Sequence, residues 1–332
     1  MLLELAASKH ILFFGGKGGV GKTTIAAATA LALARQGKHI LLVSTDPAHN
    51  LGHIWQRKIG AEKVALAANL DGIEIDPEKT TRKHLENVAA ALRKLMPEHL
   101  WGEVDKHIAL ARDAPGMHEA AILERIAEIV ERGLQDYDLV VFDTAPSGHT
   151  ARLMALPEIM SVWTEGLLKR QRRSESFDEA LSSLGSKKTP DTQARDERIQ
   201  QILNRRRDLF TRLREVLSDT GKTSFVVVLA AERLPVLETI ELEKRLKKTG
   251  VPVAALIVNK RSLPEQGAFL AERHTQEAQH LQTLRKVLPK TPLIQLPLLA
   301  SDVVGEEHLI RFGELLMKAD RLNEKGNSPD MR

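Results

Sequence analysis

Within the stretch FFGGKGGVGKTT, residues 13–24, Gly16 to Thr23 follow the spacing G-x-x-x-x-G-K-[ST]. Residues of these types at this spacing do phosphate chemistry. A glycine-rich turn lets successive backbone N–H groups converge on phosphate oxygens, and the helix that follows adds its positive end. The backbone of Gly16, Gly18, Gly19, Val20, Gly21, Lys22, Thr23 and Thr24 is therefore the expected nucleotide cradle. Lys22 would reach the β- and γ-phosphates, and the Thr23 hydroxyl would hold Mg2+. Two acids fall where such a site needs them. Asp143 closes the apolar run LVVFD, the position of an acid that holds a magnesium-bound water. Asp46, in STDPAHN, follows another apolar run and would orient or polarise an attacking water, unless it only opens an Asp-Pro turn. One residue is left over: the spacing has no use for Lys17, a second lysine inside the loop.

The elements that must position these residues read as alternating strand and helix. HILFF (10–14) runs into the glycines, and the residues before it read as the lead-in to that first strand. HILLVST (39–45), DGIEI (71–75), DLVVFDT (138–144), SFVVVLA (224–230), VPVAALIVN (251–259) and TPLIQLP (291–297) are further short, strand-like runs. Most are apolar almost throughout, as strands buried on both faces of a parallel sheet must be. The expected fold class is α/β, a P-loop NTPase with a mostly parallel sheet, helices on both faces and an inserted α-helical subdomain. The core would comprise 1–81, 135–150 and 221–325, the subdomain 82–134 and 151–220, and the tail 326–332. Within the subdomain, Leu85, Val88, Ala89, Leu92, Leu95 and Met96 keep one helical face, as do Ile122, Ile126, Ile129 and Val130. The polar SLGSKKTPDTQARDE (183–197) reads instead as a loop.

Composition narrows the functions available. At 332 residues, 42% apolar and 28% charged, the chain has the make-up of a soluble globular protein. A formal net charge of only +4 argues against bulk nucleic-acid binding, and no specific nucleic acid is expected as a partner. The basic clusters KRQRR (169–173) and NRRR (204–207) lack interleaved aromatics and read as solvated helix faces. The chain has no cysteine, which excludes disulfides, thiol nucleophiles and zinc–thiolate sites, so no zinc is expected. No apolar run approaches the ~20 residues of a membrane span, and the expected location is cytoplasmic, at most peripheral to a membrane.

The blocks GKGGVGKTT, STDPAHNLG and DTAPSGHTARLMALP together resemble the ATPases that energise arsenite pumps and those that deliver tail-anchored membrane proteins. NLDGIEIDPEKT, APGMHEA, VNKR and LPLLASDVVGEEHLIRF extend the likeness over nearly the whole chain. The resemblance implies ATP and Mg2+ as ligands, and it implies a use for Lys17. Members of this class carry an extra signature lysine that reaches across a homodimer to the partner's nucleotide, where a cation in trans would offset charge on the transferring phosphoryl group. By the same resemblance, Asp46 is the hydrolytic aspartate and Gly148 senses the γ-phosphate through its backbone. Asn259 reads adenine, and the loop from Pro297 packs on the base.

The resemblance also implies partners. In targeting members, helices beyond the second switch form a groove for a hydrophobic transmembrane-helix client; here Leu156, Met160, Trp163 and Leu167 would lie on one helical face. The alternative partner is a membrane pump subunit that exports arsenite or another anion. Pump members bind trivalent arsenic through thiolates, and His or carboxylate groups replace them poorly. A membrane- or DNA-positioning ATPase is a third possibility. Its membrane-docking members end in a basic amphipathic helix, whereas EEHLIRFGELLMKADRL mixes charges.

Overall fold

The computed structural model describes residues 2–46, 50–95, 98–114, 116–145, 154–158, 160, 165–166, 169, 190–251 and 253–326. Among the described residues eight strands form one sheet: β1 Ile11–Gly15, β2 Ile40–Ser44, β3 Val64–Ala67, β4 Leu70–Glu74, β5 Leu139–Asp143, β6 Thr223–Ala230, β7 Val253–Arg261 and β8 Leu293–Pro297. Their spatial order is β3-β4-β2-β5-β1-β6-β7-β8. Every pairing is parallel except β3 with β4. The fold is thus the expected α/β class with a mostly parallel sheet.

The described helices are α1 Leu2–Ala7, α2 Lys22–Ala34, α3 Asn50–Trp55, α4 Pro77–Leu95, α5 Trp101–Arg112, α6 Met117–Asp136, α7 Pro190–Ser218, α8 Arg233–Lys248, α9 Ala268–Val287 and α10 Glu306–Gly326. The chain divides into two compact units, one of Met1–Asp76, Val130–Met154 and Val216–Arg332, the other of Pro77–Ile129 and Ala155–Glu215.

In the first unit the sheet core explains the apolar runs. Every residue of β1, β2 and β5 is buried. Phe13 stacks on Phe142 with ring centroids 4.7 Å apart and on Phe225 at 6.2 Å, so aromatics from three adjacent strands tie β5, β1 and β6 together. On α2 the small residues Ala26, Ala27, Ala28 and Ala30 are fully buried. They let α10 approach closely: Gly313 lies where an added Cβ would stand 3.5 Å from the Ala28 carbonyl oxygen. In the second unit, Leu85, Ala89, Val104, Leu123, Ile126, Phe210 and Leu213 are buried, the apolar stripes of amphipathic helices.

Two local expectations are corrected, and one short strand joins those read from the apolar runs. The N-terminal residues are helical rather than the lead-in to a strand. LLELAA consists of good helix formers, and Leu2, Leu3 and Ala6 bury into the core. The short VALA of β3 forms an antiparallel hairpin with β4, turned at Asn69 with φ 60, a left-handed conformation that asparagine tolerates. From Pro190 the polar stretch forms the first turns of α7, not a loop, while residues 183–189 lie outside the described residues. Proline is suited to open a helix, and Gln, Ala, Arg and Glu propagate one without an apolar pattern.

Candidate functional site

The carboxyl ends of β1, β2, β5, β7 and β8 supply the site. In a parallel sheet these ends form the edge where ligands bind. β1 runs directly into the loop 16–21, and Lys22 begins α2. The register sets Phe14 of β1 and Ser44 of β2 on either side of Asp143 of β5, so the acid lies beside the loop.

The loop is clamped from two directions. Gly16 adopts φ 139, and a Cβ there would stand 2.0 Å from the Val228 carbonyl oxygen of β6. Gly21 adopts φ 94, and a Cβ there would meet Asn259 Nδ2 at 2.4 Å. Only glycine meets both demands. From β7, Asn259 Nδ2 donates to the Val20 carbonyl at 2.9 Å and Lys260 Nζ donates to the Gly19 carbonyl at 2.9 Å. Holding loop carbonyls back in this way suits a turn whose N–H groups must meet phosphate. An amide carries two hydrogens and an oxygen, so one N–H and the Oδ1 of Asn259 remain available to a base.

Lys22 is buried at 5% exposure, and its Nζ donates across the loop to the Lys17 carbonyl at 3.0 Å. Burial lowers its pKa from the ordinary lysine value, opposed by the charges of Asp143 and Asp46. Thr23 Oγ1 donates to Asp143 Oδ2 at 2.7 Å. Asp143 is fully buried, and its Oδ1 has no hydrogen-bond partner among the described residues. Burial pushes this carboxyl up to about 7, against the Thr23 hydrogen bond and the Lys22 charge. A buried carboxylate with an orphaned oxygen beside a threonine hydroxyl fits Mg2+, a hard cation that takes oxygen donors. Asp46 is half-buried and accepts from Asn50 Nδ2 at 3.4 Å.

A cavity of about 480 Å³ is walled by Gly19, Gly21, Lys22, Thr23, Thr24, Asp46, Asn259 and Pro297 together. Lys17, Gly18 and Val20 face a second cavity of about 410 Å³, which also touches Gly19 and Lys260. There the Lys17 Nζ lies 3.1 Å from Glu238 Oε1 of α8, a pairing no local motif announces. Gly16 lines neither cavity and supports the turn. Leu156 and Met160 are half-buried on helical residues. Gly148, Trp163 and Leu167 lie outside the described residues.

Residues 9–318 match the family described as Anion-transporting ATPase. The chain belongs to this family. It is 34% identical over 313 residues to a protein of Aquifex aeolicus (strain VF5) provisionally named arsenical pump-driving ATPase 2, an alignment covering 92% of this chain and 99% of that one. It is 32% identical over 314 residues to ATPase get3 of Pyrenophora tritici-repentis (strain Pt-1C-BFP), covering 92% of this chain and 91% of the relative. With ATPase GET3 of Pyricularia oryzae (strain 70-15 / ATCC MYA-4617 / FGSC 8958) the identity is 29%, over 92% and 90% of the two chains. As a member of this family the chain is an ATPase, and a nucleotide is its substrate.

No described helix of this ATPase is long and apolar enough to cross a membrane, and the described residues hold no group of three or more His, Cys, Asp or Glu able to bind a metal. One feature escapes a motif reading: behind the Asn259 wall, Arg261 and Glu277 form a buried ion pair. Arg261 closes the VNKR block that holds Asn259, whereas Glu277 lies in none of the blocks that carry the resemblance. The only sequence signal was a guanidinium close after Asn259 at the end of an apolar strand.

Proposed function

We propose that this ATPase works as a nucleotide-gated homodimer that carries a hydrophobic, tail-anchored-type membrane-protein client. The observation that supports the reading is the separation of the two loop lysines. Lys22 faces the cavity it shares with Thr23, Asp46 and Asn259, whereas Lys17 turns away into the neighbouring one. A lysine held outside its own chain's phosphate site can serve a phosphate approaching from outside. In this reading Lys22 binds the β- and γ-phosphates. Thr23 and Asp143 would hold Mg2+, Asp143 through a water, and the ion would supply charge to offset that of the phosphates. Asp46 accepts a hydrogen bond from the attacking water and aims it at the γ-phosphorus, giving ADP and phosphate. Gly148 senses the γ-phosphate, and Asn259 with Pro297 frames the adenine. Lys17 from the second copy completes the charge at the reacting phosphoryl group, which ties hydrolysis to closure of the dimer. Leu156, Met160, Trp163 and Leu167 would contribute to the client groove.

A second reading has one observation in its favour, the family description itself: an ATPase subunit energising an anion export pump. Against arsenite as its anion stands the absence of any cysteine thiolate.

The test uses Asp46→Asn, expected to bind ATP and hydrolyse it slowly. It is co-expressed with a tagged protein bearing a C-terminal transmembrane helix, and the mass of the ATP-loaded complex is measured. A dimer with the client supports the carrier. A dimer that ignores the client but associates with a membrane exporter supports the pump. An ATP-bound monomer defeats the in-trans role of Lys17.

A further inference from the structure

The base end of the cavity has two walls, the end of β7 at Asn259 and Lys260 and the loop that begins at Pro297. In a regular strand, neighbouring side chains point to opposite faces. Yet Asn259 and Lys260 both bond to carbonyls of the phosphate loop. The strand manages this by turning at Lys260, which adopts φ 58, a left-handed conformation uncommon outside glycine. The β7–β8 register shifts at the same place, between Val258 and Arg261. Something must hold this irregular strand end.

The structure assigns that task to one carboxylate. Arg261 and Glu277 are 7% and 4% exposed. Glu277 of α9 accepts from the Arg261 guanidinium, from Ser262 N at 3.1 Å, from Ser262 Oγ at 2.7 Å and from Arg273 Nε at 3.3 Å. Arg261 in turn reaches the other wall. Its Nε donates to Gln295 Oε1 of β8 at 2.9 Å, and its carbonyl accepts from Leu298 N at 2.8 Å. One buried pair therefore joins β7, β8 and α9 behind both walls of the base site. Burying a charge pair is costly unless its lone pairs are met, and here four donors converge on Glu277.

We infer that the Glu277–Arg261 pair positions the base-binding walls of the nucleotide site, setting affinity for the nucleoside part of ATP more strongly than for its phosphates. This rests on the reading above that Asn259 and Pro297 meet the base. Neither side chain touches the nucleotide; both are positioning residues. The cradle shares the Asn259 and Lys260 bonds with this strand end but keeps two supports of its own, the Gly16 approach to β6 and the Thr23–Asp143 bond.

The test compares two probes on the full chain, ATP and inorganic tripolyphosphate, each with Mg2+, by calorimetric titration. Glu277→Gln should weaken ATP binding by about tenfold, the loss of roughly one charged hydrogen bond. Tripolyphosphate binding should fall by clearly less than ATP binding, about threefold at most because the loop keeps its own supports, and KM should rise with kcat at saturation little altered. Equal losses for the two probes, or no loss of ATP affinity in a folded variant, would overturn the inference. If Glu277→Gln fails to fold, the apolar pair Arg261→Met with Glu277→Met replaces it, since such replacements are often tolerated. A stable double variant that binds ATP normally would also overturn the inference. Asn259→Ala, titrated in parallel, separates the two levels: if it too leaves ATP affinity intact, the base reading itself fails.

Discussion

Glu238→Gln offers the sharpest test of how Lys17 works. Lys17 Nζ sits 3.1 Å from Glu238 Oε1, with the two side chains 38% and 41% exposed. If Lys17 serves a second copy's nucleotide, this pair must break before the dimer can react. Exposed pairs of this kind contribute about 0.2–1 kcal/mol. Removing the acid while keeping its shape should therefore release Lys17 and raise ATP turnover about 1.4- to 5-fold in the concentration range where dimers form. Phosphate release would be followed against protein concentration at low and high salt. The advantage over the parent should shrink as salt screens the pair, because the Debye length falls to about 3 Å at 1 M. Introducing Lys17→Ala into the Glu238→Gln chain should abolish the gain. A slower Glu238→Gln enzyme, or a gain that survives loss of Lys17, would refute the reasoning.

Gly16→Ala should cost more than about 2 kcal/mol in denaturant unfolding, because the new Cβ meets a backbone carbonyl that cannot move aside; a wild-type midpoint would contradict the clamp. Asp143→Asn should lower Mg2+ affinity about 10- to 100-fold in metal titrations of turnover. The same substitution bears on pH. The folded-state pKa of Asp143 is raised from 3.8 to about 7, so its contribution to stability is present below pH 3.8 and is lost as pH rises through 7. The nucleotide-free parent should lose stability across that window relative to Asp143→Asn, and parallel pH profiles would count against the burial argument. Glu124 behaves oppositely. Burial pushes its carboxyl up, but the hydrogen bond from His84 at 2.6 Å and the nearby Arg206 outweigh burial and hold it below 4.5. Its contribution is present above pH 4.5 and lost as pH falls through the lowered value. Glu124→Gln should cost about 1.5–3 kcal/mol at pH 7 and nothing in strong acid, where the parent's carboxyl is protonated too; a cost that persists in acid would point to packing instead.

Much of this ATPase is determined by patterns that act over a few residues. A five-residue run such as ILFFG or LVVFD must be buried on both faces, and a glycine loop must follow the first of them. Those constraints are local, so the strand ends and the Gly16–Thr23 cradle are legible without a fold. Weaker local patterns misled at α1 and the start of α7, which have helix-forming residues without the expected context, and β3 leaves no pattern to read because it is too short to alternate visibly. The tertiary structure alone decided which distant groups meet. Asn259 reaches Val20 across 239 positions of sequence, and Lys17 finds Glu238 only because α8 follows β6, the strand beside β1. Glu277 has the same chemistry as the exposed glutamates of other helices, such as Glu307. What separates it is burial beside Arg261, and burial depends on which helix the sheet draws over β7 and β8. A sequence states each charge; the fold sets the dielectric around it and the partner it must satisfy.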